Sequence, residues 1–466
     1  SALEISGIST LTITQSGGTI FTGNVGATTV TLTDSTGAIE FDGDLAATTL
    51  NVAARAINGG FDVEINEDAN ITNAVTFSNT GLLVLGNGTD DNLTFGGGIT
   101  AIAQAAGGYD ADAIKIAGNI ITTNDVVKLG SATAGITLTA DSTITTGAGA
   151  GNIDLDGIII GGNNSLGLNA GSGLITSALE ISGISTLTIT QSGGVTFDDA
   201  VTTTTAVFLT DTADNADIIF TGALTTGTLT TQAQQYDLFL NGGGTIGAAT
   251  LINTGTLQIG TGTVTTTFDN AISAISQSAI TLAGTVTTSN DVITLGDGDT
   301  GITLAEDTTL NSGSAALNIG GTLAGNNKNL ILNSTGLTTL SGDLTALTTL
   351  STNTDGGTKL AAGVDITTTG TMTFNDELTL VGASILDADD DIITLKAVTG
   401  GAGTENLTVN SGTARTEFDG IVSAIETLTI ADSGGVTFDA AVTTNTAVVL
   451  TDTADNADII FTGALT

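Results

Sequence analysis

Residues 304–350 read LAEDTTLNSGSAALNIGGTLAGNNKNLILNSTGLTTLSGDLTALTTL, and they set the ruler for the chain. Leu310, Leu330 and Leu350 stand 20 residues apart, and Leu317 and Leu337 repeat that step. Leu304, Leu323 and Leu344 follow at steps of 19 and 21. Between these marks lie runs such as Leu330-Ile331-Leu332, punctuated by Gly, Asn, Ser and Asp. A spacing near 20 with several strand-sized runs per repeat predicts a solenoid whose coils bury one another's apolar side chains. The expected fold is all-β: one long parallel β-helix, with about 20 residues per coil and about 23 coils over residues 1–466. At about 4.8 Å per coil such a rod is on the order of 110 Å long.

Working outward, the same rhythm recurs. Leu11, Val30 and Leu50 are spaced by 19 and 20, and Phe21 and Phe41 by 20. Thr29-Val30-Thr31-Leu32 and Ile39-Glu40-Phe41-Asp42 alternate apolar and polar, which places one face inward and the other in water. Clusters such as Gly161-Gly162-Asn163-Asn164 suit corners that need left-handed backbone angles. Residues 211–217 read as a loop bulging from a longer coil. Residues 97–112 and 230–236 leave the strand pattern and read as protruding loops or a short helix.

Composition agrees with a ladder. The 466 residues include 64 Gly, no Pro and no Cys. Pro lacks the N–H that every rung needs, so its absence fits continuous pairing. Aromatic content of 3% against 40% hydrophobic residues implies a narrow core of Val, Ile, Leu and Ala. Abundant Thr favours strands, and the regular apolar spacing argues against disorder.

Internal copies extend the pattern. Residues 1–18, SALEISGISTLTITQSGG, recur unchanged at 177–194, and 427–435 is a related stretch. Residues 195–225 return nearly whole at 436–466. Residues 114–138 correspond to 280–304 at a constant offset of 166. The unequal offsets of 176, 241 and 166 imply coils or loops gained and lost between copies, as in a piece of a longer tandem array.

Charge and inventory exclude several functions. Forty-eight acidic residues against seven basic ones, with no His, give a net charge of −41. Phosphate binding needs clustered Lys and Arg, so nucleic acid is an unsuitable partner, and anionic lipid is disfavoured likewise. No run approaches the roughly 18 apolar residues of a membrane span. Without His or Cys there is no Ser-His-Asp triad, no thiol nucleophile and no imidazole metal site. The −41 charge also repels the acidic sugars on which β-helix lyases act, so the expectation is a protein that is not an enzyme.

Acidic clusters are the one motif with metal chemistry. Asp211, Asp214 and Asp217 recur as Asp452, Asp455 and Asp458, and Asp387, Asp389 and Asp391 alternate in DADDD. Further clusters are Asp297 with Asp299, Glu67 with Asp68, and Asp90 with Asp91. Loops rich in Asp and Asn suit weak calcium binding, since calcium takes six to eight oxygens. However, Ile392 stands where an EF-hand needs Gly, and tandem GGxGxDxUx nonapeptides are missing. The competing expectation is ordinary corner turns, where Asp is favoured. Runs such as Thr202 to Thr205 and Thr265 to Thr267 suit outward polar faces, with hydroxyl ladders for ice or glycans as the alternative.

Coils reading GTIFTGNVGATTVTLTDST and GAIEFDGDLAATTLNV resemble filamentous-haemagglutinin-type and autotransporter-type bacterial surface proteins. The resemblance lies in repeat style and spans essentially the whole chain. It implies a right-handed, roughly triangular β-helix exported to the bacterial cell surface. There it would self-associate end to end or side by side as a fibre or sheath, or serve as an adhesin stalk in attachment or biofilm. The family's amino-terminal secretion domain and an Arg-Gly-Asp triplet are not found in these residues.

Overall fold

Period-two alternation becomes a buried row as soon as strands stack in parallel. In Ile39–Phe41 the two outer side chains are buried and Glu40 is half-buried; Val63–Ile65 repeats this one turn on. Ile39 lies over Val63 and Phe41 over Ile65. In a computed structural model the chain is all-β: a single parallel β-solenoid of about 21 turns with about 21 residues per turn. The structure describes residues 3–54, 60–102, 109–451, 453–454 and 457–466. Arg55, Asp452, Asp455 and residues 103–108 lie outside the described residues. Two compact units divide the chain, Ser1–Phe239 and Leu240–Thr466.

In the first unit each turn offers three strand segments, and three inward columns result. One column runs Ile13, Leu32, Val52, Phe77, Ala101, Leu129, Leu155, Ser177, Phe197 and Phe220. A second runs Ile39, Val63, Leu83, Ile114, Ile136, Ile159, Ile181, Val201 and Leu224. The third runs Ile5, Val25, Leu45, Ala69, Leu93, Ile120, Ile144, Leu168, Ile189 and Leu209. Stacked rings reinforce the columns: Phe21 on Phe41 at 5.1 Å and Phe197 on Phe220 at 5.0 Å. Such pairs add about 0.5–1.5 kcal/mol beyond burial.

The second unit is built alike. One inward column runs Leu257, Ile280, Ile302, Leu323, Leu344, Ile366, Leu386, Val409, Ile430 and Leu450. Phe418, Phe438 and Phe461 stack with centroids 4.7 and 4.6 Å apart.

Corners, not strands, set the turn length. Asp110–Ile121 and Ala279–Thr288 each round a corner at Gly118 and Gly284, with φ of 68° and 70°. A Cβ there would come within 2.5 Å of the Asp91 carbonyl and 2.3 Å of the Val264 carbonyl, so only glycine fits. These are equivalent positions of the copies at 114–138 and 280–304. Both copies also keep one register: Ile114 on Ile136 and Ile116 on Leu138, Ile280 on Ile302 and Leu282 on Leu304.

Several expectations need correction. The turn is nearer 21 residues than 20, giving about 21 turns rather than 23. Leu330 does lie under Leu350, but Leu310 pairs with Leu332, two residues beyond the 20-residue mark. Leu317 pairs with Thr338, which turns inward while Leu337 is 48% exposed. The offset is 22 at Leu310 and falls to 21 across the corner at Gly336, which leaves Leu317 one residue off the ruler, and a slip of one residue exchanges the two faces. Residues 110–112 begin a strand and Thr230–Thr231 end one, so neither irregular stretch is wholly loop, and no helix forms among the described residues. Thus no described helix is long and apolar enough to cross a membrane.

Candidate functional site: the acidic corners

Asp and Asn recur immediately before the first inward residue of a strand, as in Asn24-Val25, Asp44-Leu45, Asp68-Ala69, Asn92-Leu93 and Asn119-Ile120. At these corners the side chain reaches the turn above or below. Asn24 Nδ2 donates to Asp44 Oδ2 at 2.9 Å, and Asp44 N–H donates to Asn24 Oδ1 at 3.1 Å. Asp68 Oδ1 accepts from Asn92 N–H at 2.7 Å, and Asn92 Oδ1 from Asn119 Nδ2 at 3.1 Å. In the second unit Asp307 accepts from the backbone N–H and the amide of Asn329, each at 2.9 Å. Asp343 accepts from Asp365 N–H at 2.9 Å, and Asp365 from Ile385 N–H at 2.8 Å. A parallel ladder leaves corner N–H groups without strand partners, and a carboxylate one turn away satisfies them. Much of the acidity is therefore employed in joining turns.

The sequence-predicted residues divide between loops and corners. Residues 210–216 form the expected loop, in which Asn215 has φ 59°. Buried Thr212 anchors it through a 3.3 Å contact to the Ser192 hydroxyl. Asp211 is half-buried and Asp214 is exposed, while Asp217 opens the strand Asp217–Phe220. Partial burial and the carboxylate of Asp237 raise the pKa of Asp217. In the second copy Asp458 is exposed, and Asp452 and Asp455 are not described. Asp387 ends the strand Ser384–Asp387, and its Oδ1 accepts from Asp389 N–H at 3.0 Å and Asn410 Nδ2 at 3.2 Å. Asp390 accepts from Thr413 N–H at 3.0 Å, and Asp391 N–H donates to the Ala388 carbonyl. Among the described residues no three carboxylates come together in a group that could hold a metal ion.

Of three buried carboxylates, Asp91 belongs to a cluster the sequence singles out, whereas Asp376 and Glu405 were not singled out by sequence reasoning. Asp376 accepts from the hydroxyls of Thr352 and Thr358 at 2.8 and 2.9 Å, and burial still pushes its pKa up. Burial would raise Glu405 too, but N–H donors led by Ala402, with Thr404 and Gly403, hold it below the usual range. Asp91 accepts from the N–H groups of Asn87 and Gly88. Their signal is weak: an acid two to four residues from Gly or Thr looks like any turn.

A shallow depression of about 500 Å³ lies on the second unit, lined by residues including Asp307, Thr309, Asn329, Ile331, Thr349 and Ser351. Its polar side chains already bond one another, Thr349 Oγ1 donating to Asn329 Oδ1 at 2.7 Å. The N–H of Asn329 holds Asp307 below its ordinary pKa. The depression is lined by one carboxylate, Asp307, and no Lys or Arg.

Fold and corners together define a β-solenoid repeat protein. No family model matches the chain, and no curated protein or solved structure matches it.

Since the corner carboxylates already have donors, divalent cations should act through the net charge. At equal ionic strength, Ca²⁺ and Mg²⁺ will raise Tm alike, to within about 1 °C, and EDTA will leave it unchanged. Differential scanning calorimetry checks this. A rise specific to Ca²⁺ of more than about 5 °C would reveal an organised calcium site.

Proposed function

We propose that this chain is a structural segment of an extracellular bacterial surface protein, stacked β-solenoid turns building a fibre, sheath or filament. The observation that supports this most is the unbroken inward column of each unit, turn stacked on turn. Such a body resists bending and shear through main-chain bonds repeated at every turn. The likeness in repeat style to filamentous-haemagglutinin-type and autotransporter-type proteins supports export and surface display. Self-association is the expected partnership, with no role in catalysis, nucleic-acid binding or membrane insertion.

A second reading, an adhesin stalk that holds a binding tip away from the cell, is favoured by the net charge of −41. Like-charged flanks repel side-by-side packing and keep rods single. Electron microscopy of the producing cells, with antibody to this chain, separates the two. Continuous labelled filaments of uniform width are expected. Single tethered rods would transfer the assignment to the stalk, and label confined to the cytoplasm would end both readings.

A further inference from the structure

The net charge is spread unevenly over the second unit. Residues 292–423 hold 16 acidic and four basic side chains, yet one outward sheet face of those turns is almost free of charge. Three outward columns make this face. The middle one runs from Thr294 to Ser423 and is Thr, Ser and Asn except for Lys359. On one side of it the column from Gly320 to Gly401 carries no charge, and Val381 is 45% exposed there. On the other side stand Val292, Leu337 and Ile421, which are 37%, 48% and 56% exposed, with small residues and Glu377 between them. Lys359 and Glu377 are the only charges in the three columns, and they cancel. Among the described residues neither makes an ion pair or a side-chain hydrogen bond.

Side-chain size along this face follows a rule. Counted outward from the step between Gly357 and Glu377, each large side chain has a small one at the mirrored position. Leu337 is matched by Ala397, Ile421 by Ala316 and Val292 by Ala441, while Glu377 is matched by Gly357 itself. In the column of Val381 the match is Ala361.

We propose that a second copy of this chain packs on this face, side by side and antiparallel, about a two-fold axis crossing the stack between Gly357 and Glu377. Such an axis sets each column against itself in reverse order. Large side chains then meet small ones, the condition for close packing of two sheets about 10 Å apart. Lys359 comes to lie beside the second copy's Glu377 in the adjacent column, so the two charges of the face pair twice across the joint. Seated parallel on the same column, a copy would instead set Leu337 on Leu337 and Glu377 on Glu377. About five residues wide and seven turns long, the face spans about 550 Å² per copy, at the small end of specific interfaces. Asp291, Asp355 and Asp419 stand at its rim, so the joint needs salt near about 0.15 M to screen them. This joint deepens the fibre reading by naming the surface through which copies meet, and it rests on that reading.

Sedimentation equilibrium of the 45.8-kDa chain in about 0.15 M salt, loaded up to about 200 µM, should show a monomer–dimer equilibrium. L337D/I421D should weaken it at least about tenfold. I331D/I385D adds the same two charges at exposed sites outside the three columns and should leave it within about twofold. A397L should weaken the dimer about tenfold by opposing Leu337, and the exchange L337A/A397L should restore it to within about threefold. Circular dichroism of each variant establishes that the fold is kept. A monomer at every concentration, a dimer indifferent to L337D/I421D, or an exchange that restores nothing would overturn the joint. If filaments are nevertheless seen on cells, the fibre reading stands on another contact. The full pattern of variants without cellular filaments would keep the joint and remove the fibre.

Discussion

Phe220→Ala will cost the folded state about 3–5 kcal/mol, whereas Phe461→Ala will cost about 1 kcal/mol. Both rings stand in the same fifteen residues, DTADNADIIFTGALT, at 211–225 and 452–466. Phe220 is 0% exposed, stacked on Phe197, and continues an inward column. Phe461 stacks on Phe438 at 4.6 Å, but its strand neighbours Ile459 and Ile460 are 40% and 39% exposed. Local propensity is equal by construction, so any difference belongs to the neighbouring turns. In a nearest-neighbour solenoid the damage at Phe220 should also spread. Hydrogen exchange will show lost protection in the turns on both sides of Phe220. A cost below about 1 kcal/mol at Phe220 would mean that turn-to-turn burial is not what holds the fold.

Acidification from pH 7.5 to about 5 will stabilise the protein, raising Tm by on the order of 5 °C. Burial raises the pKa of Glu64 and Glu67, reinforced by Glu40 and Asp62 for the first and by Asp91 and Asp44 for the second. Asp376 and Asp217 are raised as well. A carboxyl with a folded pKa above its unfolded value binds its proton more readily in the folded state. Its effect therefore grows more favourable as pH falls through the folded value. Relief of the −41 self-repulsion acts in the same direction. The trend reverses below the ordinary carboxylate range, about pH 4, where the stability contributed by Asp297, Asp307 and Glu405 begins to be lost. These groups are held low, Asp297 by the Thr300 hydroxyl and Asp307 by the Asn329 N–H. Their contribution is present above the unfolded pKa and is lost as pH falls through the folded one. Asp376→Asn should raise Tm at pH 7 and flatten the profile, because the amide bears no charge while Thr352 and Thr358 remain as partners. A Tm that falls steadily from pH 7.5 downward would contradict this balance.

The architecture was legible because its cause is local and repeated. Leu11, Val30 and Leu50 pair as their spacing implies, as do Phe21 and Phe41. The register of Leu310 and Leu317 was not legible, since a corner can lengthen by one or two residues without changing the look of the strands. Corner chemistry was half visible. The Asp387 run and the 211–217 loop announce themselves by composition, but their donors lie elsewhere. Asn410, which donates to Asp387, is 23 residues away, and the pair Asn92 and Asn119 spans 27. Such partnerships depend on the length of each turn, which a mean period blurs. Asp376 was hidden for the same reason, because it owes its burial to Thr352 and Thr358 from the preceding turn.

Residues 1–18 and 177–194 are identical, yet Ile5 and Ile13 stand in the third and first columns of the first unit and Ile181 and Ile189 in the second and third, and this bears on how such chains change size. If any side accepts the segment, recombination between near-identical stretches need not conserve whole circuits. Loss or gain of a single strand with its bend, a third of a circuit, rotates everything downstream by one side and leaves the hydrophobic interior continuous. Length can then vary in small increments without a frameshift in packing, a freedom that a globular core does not have.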